Sequence, residues 1–499
     1  MRGSGNRPHC WPGWPKKAVR SVDRRADLRA GLTVRKLLAL LGGVLLVLAI
    51  AVGAKTLLTP SRQLAVASVT PDAVDIAAVA ERLGAAVRFR TIASRDDPEA
   101  NGAEFTALHR HLQDSFPKAH AVLKREVIGT YGLLYTWPGS DPDAAAIGLM
   151  AHQDVVPVAP GTETDWQQPA FSGVLADGFV WGRGAWDDKG NLMAIMEAVE
   201  SLVAGGFQPR QTMYLIFGQD EEIGGARGAG EIARQFKQRG TRLQFVLDEG
   251  LLITDGVLPG LDKPAALVGV AEKGYMSVQL TASAAPGHAS MPPPQPGHSA
   301  IGMLSAALVR LEDRQIPLTV RGLAQQMFET LAPEMRGLNR VVLSNLWLFR
   351  PILERQLAQG ASTNALSRTT TALTVLGAGD ADNVLPGRAT ATVNFRLLPG
   401  DSSDAVVDHA TTVIANPAVT IRKMNGFSEA SAVARTDAPG YRAIERTLRQ
   451  LHPDVVVAPG LMVGATDSRH FDTVANDIYK FSAVRARPED LKRFHGTDE

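Results

Sequence analysis

Imidazole and carboxylate side chains recur along this 499-residue chain where a short apolar segment or a glycine-bracketed turn ends. They are His152 and Asp154, Asp187, Glu221 and Glu222, Asp248 or Glu249, and His495. Such a set, without thiolates, suits a zinc, cobalt or manganese site rather than a structural zinc finger. The groups exceed the needs of one tetrahedral ion, whereas two ions about 3.5–4 Å apart that share one carboxylate would use them all. The residue types therefore predict a two-metal centre that clamps a substrate carbonyl and acidifies a bridging water.

Two short spacings fit this chemistry. In the pair Glu221-Glu222, one carboxylate can bind metal while its neighbour acts on water as general base. In His152-x-Asp154, the carboxylate can orient a ligating imidazole through its second ring nitrogen. Each pattern alone has a structural alternative, because an acidic pair on a loop is usually solvated and Asp187 could be a helix N-cap. The whole set favours metal binding.

Three apolar segments that end in these polar groups are predicted to be buried strands: residues 144–151, 212–217 and 243–247. After Asp187, apolar residues recur at helical spacing from Leu192 to Val203, and Gly205-Gly206 provides a stop. Strands that alternate with helices predict a layered α/β domain with a largely parallel sheet. In such sheets, binding sites form at the carboxyl ends of the strands.

The pattern changes near Gly274, where a second unit is predicted. Its segments follow the order strand, helix, strand, strand, helix, strand over residues 277–282, 299–311, 372–376, 389–397, 403–414 and 418–423. This is the split βαβ, ferredoxin-like order, with a helical elaboration over residues 315–360. An embedded unit suggests an insertion. We therefore predict a catalytic domain over residues 73–273 and 428–499, and an inserted α+β domain over residues 274–427.

The amino-terminal region departs from a soluble composition. Residues 37–54 are an uninterrupted apolar run, flanked by Arg35-Lys36 and Lys55. The length suits a short membrane-spanning helix, and the excess of Lys and Arg in residues 1–36 favours a cytoplasmic tail. We expect a single-pass membrane anchor, a linker over residues 55–72, and a catalytic domain on the extracytoplasmic side. Cleavage as a signal peptide, followed by secretion, is the alternative.

Composition argues against several other classes of protein. The net charge of +1 gives no reason to expect nucleic acid, and the basic tail lacks base-stacking aromatics beyond Trp11 and Trp14. The single cysteine, Cys10, cannot form an internal disulfide. The glycines of residues 224–230 lack a phosphate-binding lysine motif and more simply serve a turn into a helix. A nucleic-acid-binding or nucleotide-binding role is therefore not expected.

Four stretches resemble motifs of the di-zinc aminoacylase and carboxypeptidase S group of metallopeptidases. They are Ala151-His152-Gln153-Asp154-Val155-Val156-Pro157, Gly182-Arg183-Gly184-Ala185-x-Asp187-Asp188-Lys189-Gly190, Asp220-Glu221-Glu222-Ile223-Gly224-Gly225 and Leu247-Asp248-Glu249-Gly250. The resemblance runs in the same order from about Pro71 onward. The most similar subset has an amino-terminal membrane anchor and includes carboxypeptidase S and N-fatty-acyl-amino-acid synthase/hydrolase. The resemblance implies a zinc-exopeptidase-type catalytic domain whose inserted domain is a lid that also mediates dimerisation.

The resemblance further implies one bridging ligand, two more ligands for each of two zinc ions, a general base and an orienting carboxylate. These roles fall to Asp187 as the bridge, His152 and Asp248 on one ion, Glu222 and His495 on the other, Glu221 as the base and Asp154 beside His152. Two positions keep an alternate: Glu249 for Asp248, since related chains use either residue of the pair, and His470 for His495. The group usually continues past the terminal histidine with a closing helix. If the ending at Glu499 is natural, His495 is expected on a frayed tail with a weakly bound second ion.

The substrate-binding candidates lie in the lid, except for Arg469, which lies in the second part of the catalytic domain. Gly287-His288-Ala289-Ser290 resembles a lid motif whose histidine helps to stabilise the oxyanion, often across a dimer. Such donors are needed because charge develops on the carbonyl oxygen. Asn364, Arg396 and Arg469 are candidates to hold a free carboxylate, since a guanidinium offers two parallel donors. Surface ion pairs are the structural alternative for the arginines.

We therefore expect a membrane-anchored di-zinc hydrolase that cleaves peptide or N-acyl amide bonds next to a free carboxylate. Its substrates would be small peptides or N-acyl amino acids. A non-catalytic, membrane-anchored ligand-binding protein that retains the fold is the alternative. The presence of His152, Asp187, Glu221 and Glu222 argues against that alternative.

Overall fold

The computed structural model describes residues 24–295 and 298–499, so residues 1–23 of the predicted basic tail lie outside the described residues. The chain divides after Leu58 into two units. The first contains α1 (Arg24–Leu58), whose 23-residue apolar segment Lys36–Leu58 includes an 18-residue stretch with a mean hydropathy of 2.8. A helical rise of ~1.5 Å per residue makes such a segment long enough for the ~30 Å hydrocarbon core of a bilayer. This segment includes the predicted span, residues 37–54, and continues to Leu58.

The second unit, Thr59–Glu499, contains the remaining helices and all strands of the described chain. The helices are α2 (Ile76–Val87), α3 (Gly102–Ser115), α4 (Pro117–Val122), α5 (Lys189–Ala204), α6 (Ala229–Arg239), α7 (Ala300–Asp313), α8 (Gly322–Leu331), α9 (Gly337–Ser344), α10 (Leu346–Leu357), α11 (Ala361–Ser367), α12 (Ser403–Ile414) and α13 (Pro439–Leu451). The strands are β1 (Lys124–Ile128), β2 (Gly132–Trp137), β3 (Ala146–His152), β4 (Val174–Ala176), β5 (Phe179–Trp181), β6 (Met213–Gly218), β7 (Leu243–Thr254), β8 (Ala265–Glu272), β9 (Gly274–Ser283), β10 (Gly287–His288), β11 (Thr370–Ala378), β12 (Val384–Leu385), β13 (Arg388–Leu397), β14 (Val419–Lys423), β15 (Val456–Met462) and β16 (Ile478–Ala486). Short 3₁₀ turns lie at Glu221–Ile223, Ala332–Glu334 and Asp467–Phe471.

Eight strands form the main sheet in the order β1-β2-β6-β3-β7-β16-β8-β15. Its centre is parallel, because β3 pairs with β6 and β7, and β7 pairs with β16. β8 and β15 are also parallel, but β1, β2 and β6 pair antiparallel, as do β16 and β8. The sheet is therefore mixed, and the predicted largely parallel arrangement is wrong for β1 and β2 and for the pairing of β16 with β8. β1 and β2 are joined by a short hairpin connection, which only antiparallel strands can use.

Helices pack on both faces of this sheet. Successive residues of a strand point to opposite faces, so Leu215 of β6 joins one core cluster and Ile216 the other. The first cluster includes Met196 of α5, and the second includes Phe236 of α6. Burial on both faces holds the ends of β3 and β6 in place, and those ends carry predicted site residues.

The inserted unit contains a second sheet in the order β11-β13-β9-β14, with every neighbouring pair antiparallel. Helices α7 and α12 pack against it around a shared core that includes Met276, Val278, Leu304 and Val406. Along the chain the elements follow the predicted order strand, helix, strand, strand, helix, strand. A split βαβ unit is therefore present between β8 and α13.

The helices that follow α7 differ from the prediction. Residues 315–360 were predicted as an elaboration of the inserted domain, within its boundary of residues 274–427. Instead, Met327 and Leu331 of α8 share a core cluster with Val456 and Ala458 of β15, in the main sheet. The sequence shows that a helix has an apolar face, but it does not show which of two sheets that face packs against. Helices α8, α9 and α10 thus belong by packing to the main sheet.

Part of the predicted linker, residues 55–72, is attached to the same edge of the sheet. The side chain of Gln63 donates to the carbonyl of Val457 at 2.9 Å and accepts from its N–H at 2.7 Å. Farther along, the N–H of Val69 donates to the carbonyl of Gln450 at 3.1 Å. The Gln63 bonds satisfy backbone groups of the edge strand β15 that would otherwise face solvent, and the Val69 bond satisfies a carbonyl in the last turn of α13.

Candidate metal centre

Five predicted site residues converge where the central parallel strands end. His152 is the last residue of β3, and Glu222 lies in the 3₁₀ turn that follows β6. Asp187 lies on the turn before α5, Glu249 lies within β7, and His495 follows β16. The carboxyl ends of neighbouring parallel strands meet at one edge of a sheet, where α/β proteins form their sites. In the structure these five side chains lie at that edge, His152 at the end of its strand as the strand-tip reasoning predicted.

The side chain of Asp187 lies between two histidines. On one side, Nε2 of His152 lies 2.9 Å from Oδ1 of Asp187 and 3.5 Å from Oε1 of Glu249. On the other, Nε2 of His495 lies 2.8 Å from Oδ2 of Asp187 and 3.4 Å from Oε2 of Glu222. We call His152 and Glu249 the strand-side half, and His495 and Glu222 the tail-side half. Each half meets a different oxygen of Asp187.

Charge and burial shift the pKa values of this cluster strongly. Burial opposes protonation of His152, but Glu249, Asp154 and Asp187 outweigh it and raise the pKa of His152 well above its usual value. Hydrogen bonds to Asp187 and Glu222 raise the pKa of His495 to about 10. Burial, reinforced by Asp187, raises the pKa of Glu249 to about 8. The site thus contains more buried carboxylates than its own cations can neutralise.

A bound metal cation would neutralise this excess of buried negative charge. Ligand atoms of His152, Asp187 and Glu222 lie within 4.8 Å of one another, as do those of His152, Asp188 and Glu249. In addition, Oε1 of Glu222 is buried with no hydrogen-bond partner among the described residues. A buried carboxylate oxygen is costly unless it is hydrogen-bonded, paired or bound to a metal. Imidazole and carboxylate donors are those that zinc accepts, so the residues fit a divalent metal centre.

Asp154 holds both glutamates of the pair that follows β6. Its Oδ1 accepts the N–H of Glu221 at 3.0 Å, and its Oδ2 accepts the N–H of Glu222 at 3.1 Å. The nearest partner of His152 Nδ1 is the backbone carbonyl of Asp154 at 2.9 Å, while the carboxylate lies at 3.4 Å. Asp154 therefore contacts His152 mainly through its backbone carbonyl, and its carboxylate fixes the turn that carries Glu221 and Glu222.

The structure brings Glu249 to the cluster in place of the preferred residue, Asp248. β7 was predicted to end at residue 247 but continues to Thr254, so both acids lie within a strand and point to opposite sides. The Asp248 carboxylate accepts the N–H groups of Glu249 at 3.0 Å and Ser468 at 2.8 Å. Asp248 thus supports the loop that follows β15, and the alternate, Glu249, contacts His152.

The segment that carries His495 is tied down, contrary to the expectation of a frayed tail. Asp498 accepts the backbone N–H of Gln167 at 2.7 Å and its side-chain amide at 2.8 Å. Glu499 forms a buried ion pair with Arg183. Sequence reasoning missed Arg183 and Glu499 as site residues, because their contact spans 316 positions. The only local signal was an arginine inside the glycine-bracketed turn.

The alternate ligand His470 lies away from the cluster. Its Nε2 contacts the carbonyl of Gly224 at 3.1 Å, and burial lowers the pKa of its imidazole. Arg469 donates from Nη2 to the same carbonyl at 2.8 Å. Both side chains therefore contact the backbone at Gly224, two residues after Glu222, and neither is among the ligand candidates that meet at Asp187.

The substrate-binding candidates of the inserted unit lie in two places. Arg396 is near the end of β13, with its guanidinium 4.9 Å from the ring centre of Tyr275. Asn364 lies in α11, and its Oδ1 is buried without a hydrogen-bond partner among the described residues. His288 is exposed on β10, where its Nδ1 contacts the hydroxyl of Ser290 at 2.8 Å. None of the contacts found for His288 in the described residues reaches the metal cluster.

The chain matches the family described as Peptidase family M20/M25/M40 over residues 148–499. It is 39% identical over 470 residues to a probable carboxypeptidase S-like 2 of Dictyostelium discoideum, which covers 92% of this chain and 89% of that protein. It is 40% identical over 422 residues to an N-fatty-acyl-amino acid synthase/hydrolase PM20D1 of Xenopus tropicalis, covering 84% and 81%. The solved M20 family metallo-carboxypeptidase Sso-CP2 from Sulfolobus solfataricus shares the fold, with a TM-score of 0.60 at 16% identity over 84% of this chain and 94% of that one.

These matches confirm the resemblance that the four motifs indicated and the expectation of a metallopeptidase-type enzyme. They give no support to the alternative of a non-catalytic binding protein. The family match extends over more than half of the chain and includes His152, Asp187, Glu222, Glu249 and His495. The chain belongs to peptidase family M20/M25/M40.

Proposed function

We propose that this cluster holds two zinc ions and that the protein hydrolyses peptide or N-acyl amide bonds adjacent to a free carboxylate. The observation that carries the proposal is the position of Asp187. Its two carboxylate oxygens face different histidines, at 2.9 and 2.8 Å. A carboxylate approached from both sides suits a ligand shared by two ions.

The remaining ligands divide between the two halves of the site. His152 and Glu249 would hold one ion, and His495 and Glu222 the other, with Glu249 taking the place first given to Asp248. When bound, such a pair of ions supplies polarisation of the substrate carbonyl and a lowered pKa of the attacking water. The protein would set the separation between the two ions, because each half of the site contacts a different oxygen of Asp187.

Glu221 is the proposed general base. Its backbone is fixed by Asp154 at 3.0 Å, and its carboxyl group interacts electrostatically with His152 and Glu249. Burial raises the pKa of Glu221 well above its usual value. A raised pKa suits a carboxylate that takes a proton from water and returns it to the leaving amine.

The free carboxylate of the substrate would bind between the catalytic and inserted units. Burial, and to a smaller extent the neighbouring Arg469, lowers the pKa of Arg396, so two cations lie close together at this point. Asn364 offers a buried amide whose oxygen has no partner among the described residues. Two guanidinium groups close together suit an anionic group with parallel oxygens.

His288 would act from the inserted unit of a second copy of the chain. Its exposed position on β10 leaves the imidazole accessible to a partner. In a homodimer formed through the lid, this imidazole could donate to the oxygen that becomes negatively charged during attack. A monomer that retains full activity after His288→Ala would contradict this part of the proposal.

The decisive experiment is hydrolysis of a matched panel of dipeptides and N-acyl amino acids by the full chain, with and without chelator. Relatives named carboxypeptidase S-like and N-fatty-acyl-amino acid synthase/hydrolase motivate both substrate classes. We expect chelator to abolish turnover and zinc to restore it. Glu221→Gln should reduce kcat by ~100- to 10,000-fold, the range for loss of a general base, while metal content stays unchanged. Chelator-insensitive turnover, or full activity of Glu221→Gln, would refute the mechanism.

The apolar helix is proposed to be an uncleaved membrane anchor, with the catalytic unit on the extracytoplasmic side. The segment Lys36–Leu58 is long and apolar enough to span a bilayer, and the preceding basic residues favour a cytoplasmic tail. Amino-terminal sequencing of the mature protein tests this proposal. A mature protein that begins after Ala54 would instead indicate a cleaved signal sequence and secretion.

A further inference from the structure

The carboxylate of Glu499 lies at the centre of the turn that carries Asp187. Its Oε1 accepts three backbone N–H groups, from Gly184 at 2.9 Å, Trp186 at 3.3 Å and Asp187 at 2.9 Å. Its Oε2 accepts from the guanidinium of Arg183. The Glu499 side chain is fully buried, and the backbone carbonyl of Glu499 also accepts the N–H of Gly182 at 2.8 Å.

A carboxylate is the group that these four donors require. The three N–H groups converge on one oxygen, and a charged acceptor forms stronger bonds to them than a neutral one. The Arg183 side chain is 3% exposed and packs 5.2 Å from the ring centre of Trp166, so water cannot hydrate its charge. Loss of the carboxylate charge would leave Arg183 buried and unpaired, which is strongly destabilising for the local geometry.

The same contacts reach the other ligand of the tail-side half. Nη2 of Arg183 donates to the carbonyl of Gly496 at 3.0 Å and lies 3.4 Å from the carbonyl of His495. Arg183 and Glu499 therefore connect the Asp187 turn with the segment that carries His495. This connection lies beside the 2.8 Å contact of His495 with Asp187, so it can hold the two segments in register.

We propose that Glu499 is a positioning residue that fixes Asp187 and His495 relative to each other and so assembles the tail-side half of the metal centre. This inference rests on the proposed two-metal function. It assigns to Glu499 a role in metal retention, exerted through the turn, with no contact to metal or substrate. Partners that orient metal ligands typically contribute ~10- to 100-fold to metal affinity.

The test is cobalt and zinc titration of the metal-free full chain, read by the cobalt absorption spectrum and by calorimetric stoichiometry. Glu499→Gln should leave one equivalent bound as in the wild type and weaken the second by ~10- to 100-fold. Glu197→Gln is the matched control, because it also neutralises a glutamate paired with an arginine, Arg82, and contacts neither the Asp187 turn nor the segment that carries His495. That control should bind both equivalents with wild-type affinity.

Two further measurements separate positioning from general destabilisation. Glu499→Asp keeps the charge and should recover part of the second equivalent, even though the shorter side chain reaches fewer N–H groups. The melting temperature of each metal-free variant shows whether folding itself has failed. Wild-type affinity for both equivalents in Glu499→Gln would overturn the inference. A wild-type chain that binds fewer than two equivalents would overturn the proposed function instead.

Discussion

The two halves of the metal centre hold their histidines by different means. His152 is the last residue of a central strand, and its side chain is 1% exposed. Nδ1 of its ring lies 2.9 Å from the backbone carbonyl oxygen of Asp154, which fixes the ring. The ring of His495 is 44% exposed, and its residue has a φ of +56° in a segment without strand or helix. The strand-side half is therefore part of the sheet, whereas the tail-side half depends on a few contacts of one segment. Proximity to the same carboxylate, Asp187, does not make the two halves equally rigid.

The largest effect is expected where the halves meet. Asp187→Asn removes the charge that both histidines contact, so neither half keeps its shared ligand. We expect both metal equivalents to be lost under conditions in which the wild type keeps two, and kcat to fall by more than ~100-fold, beyond the effect of an orienting partner. Metal analysis after desalting and steady-state kinetics provide the two readouts. Asp141→Asn is the control, since Asp141 pairs with Arg210 at 3.0 Å and has no contact with the metal cluster among the described residues.

The next test compares the two histidines directly. In the wild type, a graded chelator should remove one equivalent at least ~10-fold faster than the other, because His495 has fewer orienting partners. His495→Ala should remove the fast phase and leave the slow one. His152→Ala should remove the slow phase. Equal release rates in the wild type would show that the difference in burial has no consequence for metal retention.

The sequence predicted most of the site because the relevant rule is local. A strand that ends in a polar residue delivers it to the sheet edge, and this rule correctly placed His152 and Glu222. The exception is Asp248. A strand that runs on past its apolar segment cannot be distinguished locally from one that ends there, and the register of β16 with β7 shifts between Lys480 and Phe481. Glu249 therefore had to be found from the structure.

Contacts between residues far apart in the chain could not be predicted from the sequence, because local patterns do not show which segments meet. The pairing of Arg183 with Glu499 depends on where residues far apart in the chain meet, and neither residue carries a periodic signal. The helices α8 to α10 were correctly expected as helical, but their apolar faces fit any exposed sheet. In the structure these three helices pack against β15 of the main sheet, whereas α7 and α12 pack against the sheet of the inserted unit. Local patterns thus specified elements and strand tips, while packing partners required the structure.

A smaller effect should distinguish the two acids of β7. Glu249→Gln removes a charge 3.5 Å from His152, so the slow metal equivalent should bind ~10- to 100-fold more weakly. Asp248→Asn keeps an acceptor for the N–H of Ser468, now at 2.8 Å, and should change metal affinity much less. Calorimetric zinc titration of both variants provides the comparison. The reverse order of effects would return the ligand assignment to Asp248.

The smallest effect concerns the aromatic support of the tail-side half. The ring of Phe494 stacks on His495 at 4.7 Å between centroids and meets Trp186 edge-on at 6.1 Å. Aromatic pairs are worth ~0.5–1.5 kcal/mol beyond their buried area, so Phe494→Ala should speed release of the fast equivalent by roughly 2- to 10-fold. The slow equivalent should be unaffected, because Phe494 contacts only the tail-side histidine among the ligands described. Phe427→Ala is the matched control, since Phe427 is 45% exposed against 43% for Phe494 and lies beside Lys423 in the inserted unit. If Phe494→Ala changed the slow phase as well, the two halves would be mechanically coupled through Asp187. The contrast between a buried half and a half held by a few tail contacts would then have to be replaced by one cooperative centre.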